Sequence, residues 1–234
     1  MSQLDNKQRP LVTAVNPKSP VSESYRTLRT NIQFSAIDQP MKVLMVASAS
    51  VGEGKTTTVT NLAVTYAQEG KKVLLIDTDL RRPSLHHVFQ QSNRAGLTSA
   101  ILNQQLLTDV IRETSVDNLY LITSGPIPPN PSEILGSGRM HMLIDELKGM
   151  FDVILFDTPP VLPVTDSLIV SSYCDGVILV VHAGKMKKEI VKKAKASLDH
   201  VKARILGVVL NNKERSKNEG QYYYYTEKLN NRDS

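Results

Sequence analysis

The sequence predicts an α/β fold: a doubly wound, mostly parallel sheet with helices on both faces. Apolar runs rich in Val, Ile and Leu alternate along the chain with segments of helical periodicity. Those runs are nearly continuous, as strands are when helices cover both sheet faces. A glycine-containing loop joins the first such run directly to a helical segment, making a strand–loop–helix unit.

Taken in order, residues 1–18 are polar, contain Pro10 and Pro17, and are expected to form a flexible leader. Ser19-Pro20 reads as an N-cap followed by proline at the first helical position. The helix it opens runs to about Ala36, with Tyr25, Leu28 and Ile32 on one face. Strands are expected at 42–48, 72–77, 119–124, 152–157, 176–182 and 205–210, and helices at 55–69, 139–149, 166–173 and 187–202. One domain, 19–211, accommodates all of these. Apolar periodicity is lost beyond it, so 212–234 is expected to be a flexible tail. That tail holds Tyr222, Tyr223, Tyr224 and Tyr225, half of the chain's 8 tyrosines.

A chain of 234 residues with 41% hydrophobic and 22% charged content suits one well-buried domain. The single cysteine, Cys174, excludes a disulfide framework or a cysteine-rich metal site. The N-terminal residues have no apolar signal-peptide core, and no run approaches the ~18 apolar residues of a spanning helix. Membrane association is therefore expected through a partner or a surface patch. Basic residues cluster between Lys185 and Arg204, which hold eight against the acidic Glu189 and Asp199. The simplest reading is the wet face of an amphipathic helix that buries Ile190, Ala194, Leu198 and Val201.

Residues Ala49–Thr56 read A-S-V-G-E-G-K-T, a close match to the phosphate-binding loop G-x-x-x-x-G-K-[ST], with Ala49 at the first glycine position. Gly52 and Gly54 let the backbone N–H groups curl around an anion, and the helix N-terminus adds partial positive charge. The whole stretch Ser50, Val51, Gly52, Glu53, Gly54, Lys55, Thr56 and Thr57 is the expected nucleotide site. Lys55 should reach the β- and γ-phosphates, and Thr56 should place its hydroxyl on Mg²⁺. Two strand ends supply carboxylates. One is Ile76-Asp77-Thr78-Asp79-Leu80-Arg81-Arg82-Pro83, and the other is Leu155-Phe156-Asp157-Thr158-Pro159-Pro160. Asp157 fits a Walker B aspartate beside the metal. Asp77 and Asp79, two apart on an extended backbone, would point to one side. Strand-end aspartates also commonly cap the turn that follows them.

The phosphate loop, I-D-T-D-L-R-R-P and F-D-T-P-P together resemble the deviant-Walker group of P-loop NTPases. The partitioning and septum-placing ATPases of that group usually carry a second lysine early in the loop, where this chain has Ser50. The chain resembles instead the bacterial tyrosine kinases of the capsule and exopolysaccharide type. Further matches are E-S-Y-R-T-L-R at 23–29, S-G-P-I-P-P-N-P-S-E-I-L at 124–135, and Tyr222–Tyr225. The resemblance covers the chain from about residue 17, in the pattern of a free-standing cytosolic kinase subunit.

The resemblance implies an ATP- and Mg²⁺-dependent protein-tyrosine kinase. Lys55, Asp77 and Asp79 would be catalytic, and Thr56, Asp79 and Asp157 would hold the metal. Asp77 would accept or orient the tyrosine proton, and Arg81 or Arg82 would offset developing charge. Glu23, Arg26 and Arg29, the E-x-x-R-x-x-R motif, would join subunits in a ring. Tyr222–Tyr225 would be autophosphorylated in trans. The implied partners are tyrosine-bearing protein substrates, a transmembrane activator of the polysaccharide co-polymerase type, and an opposing tyrosine phosphatase. Nucleic acid is not expected. The implied location is the cytoplasm, at the inner face of the cell membrane. The competing reading is a partitioning-type ATPase switch that binds DNA or membrane through the 185–204 patch.

Overall fold

The computed structural model describes residues 11–35 and 41–213. Two helices, α1 (Val12–Val15) and α2 (Pro20–Phe34), precede β1 (Val43–Ser48). Then come α3 (Lys55–Gln68), β2 (Val73–Asp77), α4 (Leu85–Val88), α5 (Leu97–Ile101), α6 (Leu107–Val110), β3 (Arg112–Glu113) and β4 (Leu119–Ile122). The chain continues through α7 (Pro131–Leu135), α8 (Gly138–Met150), β5 (Val153–Asp157), α9 (Asp166–Ser171), β6 (Gly176–His182), α10 (Lys188–His200) and β7 (Ile205–Asn211).

The seven strands form one sheet in the order β3-β4-β2-β5-β1-β6-β7. Every pairing is parallel except β3 with β4. Strand alternation divides the core into two layers. Leu44 and Val46 face the layer under α1–α3, with Leu62, Tyr66, Leu75 and Leu155. Val43, Met45 and Ala47 face the opposite layer, with Leu143, Leu147, Phe156 and Leu198. The central strands β1, β2, β5 and β6 are buried on both faces, which explains their unbroken apolar sequences, whereas the edge strand β7 leaves Val208 and Leu210 exposed. The sheet order puts β1 between β5 and β6, so the loop after β1 meets the ends of both neighbours.

The six predicted strands and five predicted helices appear within a few residues of their expected limits. Ser19 is the N-cap of α2, accepting from Ser22 N–H, with Pro20 in the first turn. Tyr25 and Ile32 are buried, and Leu28 packs beside them. On α10, Ala194 and Leu198 are buried and Ile190 packs against the core, but Val201 is exposed at the helix end. Periodicity overextends there because Val201 is the C-cap, beyond the last packed turn.

The expectation of a leader across 1–18 is corrected for residues 11–18. Thr13 is fully buried, and its N–H and hydroxyl both donate to the Asn61 side chain on α3. Gln68 donates to the Thr13 carbonyl, and Ser22 to the Val12 and Asn16 carbonyls. A buried Asn61 needs partners, and this polar segment supplies them. Residues 1–10 lie outside the described residues, as do 214–234 with Tyr222–Tyr225.

Sequence reading also missed the short β3 and the helices of four or five residues. Such elements are too brief for periodicity to register.

Arg29 is largely committed within its own chain. Its Nη1 donates to the Thr65 carbonyl at 2.6 Å, one of the carbonyls at the C-terminal end of α3. These groups lack intrahelical partners, and a cation there also complements the helix dipole. Arg26 bonds Glu23 and the Pro17 carbonyl. Arg29→Ala should therefore destabilise even the dilute monomer. At about 1.5–3 kcal/mol for a hydrogen bond to a charged donor, the thermal midpoint should drop by several degrees. Equal midpoints for the two proteins at low concentration would refute this role.

Candidate active site

β1 delivers the chain to Ala49, which is fully buried, and α3 takes it away from Gly54. Between them the backbone adopts left-handed geometry at Gly52 (φ +81°) and Gly54 (φ +95°). A Cβ on Gly54 would lie 1.9 Å from Asn211 Nδ2, so that position excludes a side chain on two counts. Glu53 turns inward and is 1% exposed. Its carboxylate accepts from Ser50 N–H at 2.6 Å and from His182 N–H at 3.3 Å. Asn211 Nδ2 donates to the Glu53 carbonyl. The loop is thus held from inside by β6 and β7, leaving its outer surface to face a cavity of about 700 Å³.

Six of the eight predicted loop residues line that cavity: Val51, Gly52, Gly54, Lys55, Thr56 and Thr57. Ser50 and Glu53 do not, because each satisfies the other. The opposite wall is formed by Asp79, Arg81, Arg82 and Ser84, and a third side by Pro159, Pro160, Pro163 and Val164. Asn211 and Asn212 close the rim. Of these, Ser84, the two asparagines and the proline wall were not foreseen as site residues. Asn211 carried one signal, a polar residue ending an apolar strand, but not its contact with the loop. The proline segment 125–131 is not part of the cavity wall; it is tied to α5 and Asn93 instead.

The three aspartates occupy distinct positions. Thr56 Oγ1 donates to Asp157 Oδ2 at 2.7 Å, beneath the cavity floor. Asp79 lines the cavity and accepts from Arg82 N–H. Asp77 is fully buried and absent from the wall, so the two carboxylates do not present together. One Asp77 oxygen accepts from Ser84 and Leu85 N–H, and the other from Asp79 N–H. It organises the 78–85 turn, as strand-end aspartates do. Burial, followed by the charge of Asp157, holds the Asp77 carboxyl well above the ordinary carboxylate range. Burial also raises Asp79, against the lowering effects of Arg82 N–H and Lys55.

Arg81 reaches across to Asp166 at the start of α9. Its Nε donates to Oδ2 at 2.8 Å and its Nη2 to Oδ1 at 3.1 Å. Asp166 was not singled out in the sequence; its significance depends on a neighbour 85 positions away.

The oxygen donors around Lys55 suit a hard cation. Thr56 hydroxyl, Asp79 and Asp157 fit Mg²⁺, which typically takes one or two carboxylates and completes its shell with phosphate and water. Among the described residues no group of three or more His, Cys, Asp and Glu forms a metal cage. These residues would therefore hold a metal together with phosphate oxygens.

Fold and site together define a P-loop nucleotide-binding protein, and comparison with known proteins places it further. A family model described as an AAA domain matches residues 41–210. Tyrosine-protein kinase YwqD of Bacillus subtilis (strain 168) is 46% identical over 223 residues, covering 95% of this chain and 94% of its own. Putative tyrosine-protein kinase CapB of Staphylococcus aureus is 42% identical, covering 93% and 96%. Among solved structures, the chimerical protein CapA2B2 superposes with a TM-score of 0.85 at 41% identity, covering 88% of this chain and 90% of that one. The septum site-determining protein MinD from Pyrococcus horikoshii, complexed with Mg-ADP, is more distant, with a TM-score of 0.64 and 27% identity over 75% of this chain and 72% of that one. The chain belongs to the bacterial tyrosine-protein kinases.

Two outcomes follow from this geometry. Gly54→Ala should weaken adenine-nucleotide binding at least about tenfold, since left-handed geometry alone costs a non-glycine residue roughly 1–2 kcal/mol; titration with a fluorescent nucleotide measures this. The second concerns pH. A carboxyl whose folded pKa is raised binds more protons folded than unfolded, so its contribution to stability is lost as pH rises. The thermal midpoint of the ligand-free protein should therefore fall between pH 5 and pH 8. Asp77→Asn should flatten that slope, and an unchanged slope would remove Asp77 as its source.

Proposed function

We propose that this chain is an ATP-dependent protein-tyrosine kinase that phosphorylates its own C-terminal tyrosines in trans and those of other proteins. The observation that carries the reading is the convergence of Lys55, Thr56 and Asp79 on one cavity, with Asp157 beneath Thr56. In this reading the loop amides and Lys55 hold the phosphates, with Thr56, Asp79 and Asp157 around Mg²⁺. The metal, when bound, neutralises charge on the transferring phosphoryl group. The bond from the γ-phosphorus to its bridging oxygen breaks as the tyrosine oxygen bonds to phosphorus, and ADP leaves.

Asp77 is the proposed recipient of the phenolic proton. An ordinary aspartate, near ~3.9, is a weak base toward a phenol near ~10. The upward shift at Asp77 narrows that gap, and the group accepts the proton only from its deprotonated form, which rising pH favours. Because Asp77 lies behind Asp79, the 78–85 turn has to yield for the phenol to reach it. Asp77→Asn should then lower kcat by more than it lowers nucleotide affinity.

Tyr222–Tyr225 are the proposed acceptors. The chain leaves β7 at Asn211 beside the cavity rim, and Tyr222 follows 11 residues later. Each added phosphate would bring about −1.5 to −2 charge, enough to disfavour crowding such tails in a ring. Glu23, Arg26 and Arg29 are the proposed ring contacts, and Arg29 would then link a neighbour to α3, whose first turn holds Lys55 and Thr56. Among the described residues no helix is long and apolar enough to cross a membrane. Family resemblance supports the remaining assignments. These are a transmembrane adaptor that recruits the kinase to the inner membrane face, an opposing tyrosine phosphatase, and a role in capsule or exopolysaccharide synthesis and export.

Incubation with γ-labelled ATP and Mg²⁺, with and without a co-purified membrane partner, tests the reading. Label is expected on tyrosine. It should vanish in Lys55→Met and drop sharply when Tyr222–Tyr225 become Phe. Release of free phosphate alone, stimulated by DNA, would instead mark a partitioning-type switch.

A further inference from the structure

The Arg81–Asp166 pair joins two walls of the cavity. Arg81 belongs to the turn that carries Asp79, and its side chain is 42% exposed while lining the cavity. Asp166 is fully buried in the first turn of α9, which follows the proline wall in the chain. The next residue, Ser167, donates its hydroxyl to the Pro159 carbonyl, so the same turn also fixes that wall's start. Fork-to-fork geometry restricts the guanidinium plane in a way that one hydrogen bond does not. Of the five N–H donors of an arginine, Asp166 takes one from Nε and one from Nη2. The others remain for acceptors in the cavity. A fully buried carboxylate needs a hydrogen-bonded partner of opposite charge, and the half-exposed Arg81 supplies it while keeping contact with the cavity.

The geometry points to Asp166 as a positioning residue for phosphoryl transfer, orienting Arg81 toward the terminal phosphate of the bound nucleotide. This rests on the kinase reading above and separates the two neighbouring arginines. Arg81 is aimed by a buried partner, whereas Arg82 contributes its backbone N–H to Asp79. The chemical step is unchanged: Arg81 donates hydrogen bonds to phosphoryl oxygens and takes no proton.

The test compares the full chain with Asp166→Asn and Arg81→Lys, each of which removes the bidentate pairing while leaving similar volume. Mg-ADP and a non-hydrolysable ATP analogue are titrated into each protein, and tyrosine labelling and phosphate release are measured in parallel. Both variants should lose about tenfold in affinity for the analogue, as expected for a lost hydrogen bond to a charged group. ADP affinity should stay within about twofold, and kcat should fall by about 10². The double variant should be no worse than either single one. Equal losses for ADP and analogue would assign the pair to structure alone. Additive losses, or wild-type behaviour in Asp166→Asn, would also overturn the inference. The affinity ratio needs no turnover. A wild-type chain that releases phosphate without labelling tyrosine would defeat the kinase reading and leave this comparison decisive.

Discussion

The site depends on one buried carboxylate. Phosphate loops expose backbone N–H groups on a tight curve, and such a curve tends to collapse unless something holds its inner side. Here Glu53 does so, joining Ser50 N–H within the loop to His182 N–H at the end of β6. Asn211 adds the end of β7 through the Glu53 carbonyl. The loop is therefore set by two strands later in the chain, and through them by the order of the sheet. An unpaired charge buried at Glu53 would be strongly unfavourable; hydrogen bonds from two backbone amides make it tolerable.

The same logic runs through the other acidic groups. Asp77 is buried where three backbone amides meet it, and it shapes the turn that presents Asp79. Asp166 is buried where a guanidinium meets it, and it braces that turn against the proline wall. Asp157 is buried against Thr56. Each buried carboxylate holds a piece of backbone or a side chain that faces the cavity. Burial and then the nearby charge of Asp157 raise the Asp77 carboxyl above the ordinary carboxylate range.

The helical layer over the loop ties the site to the chain's N-terminal region. Thr13 and Gln68 lock α1 onto α3, and Arg29 caps the far end of the same helix. A helix that begins with Lys55 and Thr56 is thus held along its length by residues from α1 and α2. Those polar residues look surface-exposed in sequence. They are drawn inward because α3 itself carries buried Asn61 and Thr65, whose polar groups need partners.

Local chemistry was legible in the sequence. Continuous apolar runs marked both-face-buried strands, Ser19-Pro20 marked a helix start, and Gly52, Gly54, Lys55 and Thr56 marked the phosphate loop between them. These features depend on neighbours a few residues apart, so backbone preference and periodicity suffice. The tertiary structure decided everything set by long-range contact. It buried Asp77 while leaving Asp79 on the wall, turned Glu53 inward, brought Asn211 to the loop and matched Arg81 with Asp166. It also packed residues 11–18 that looked like a leader. A carboxylate's role follows from what surrounds it, and for these residues the surroundings come from strands and helices up to 158 positions away.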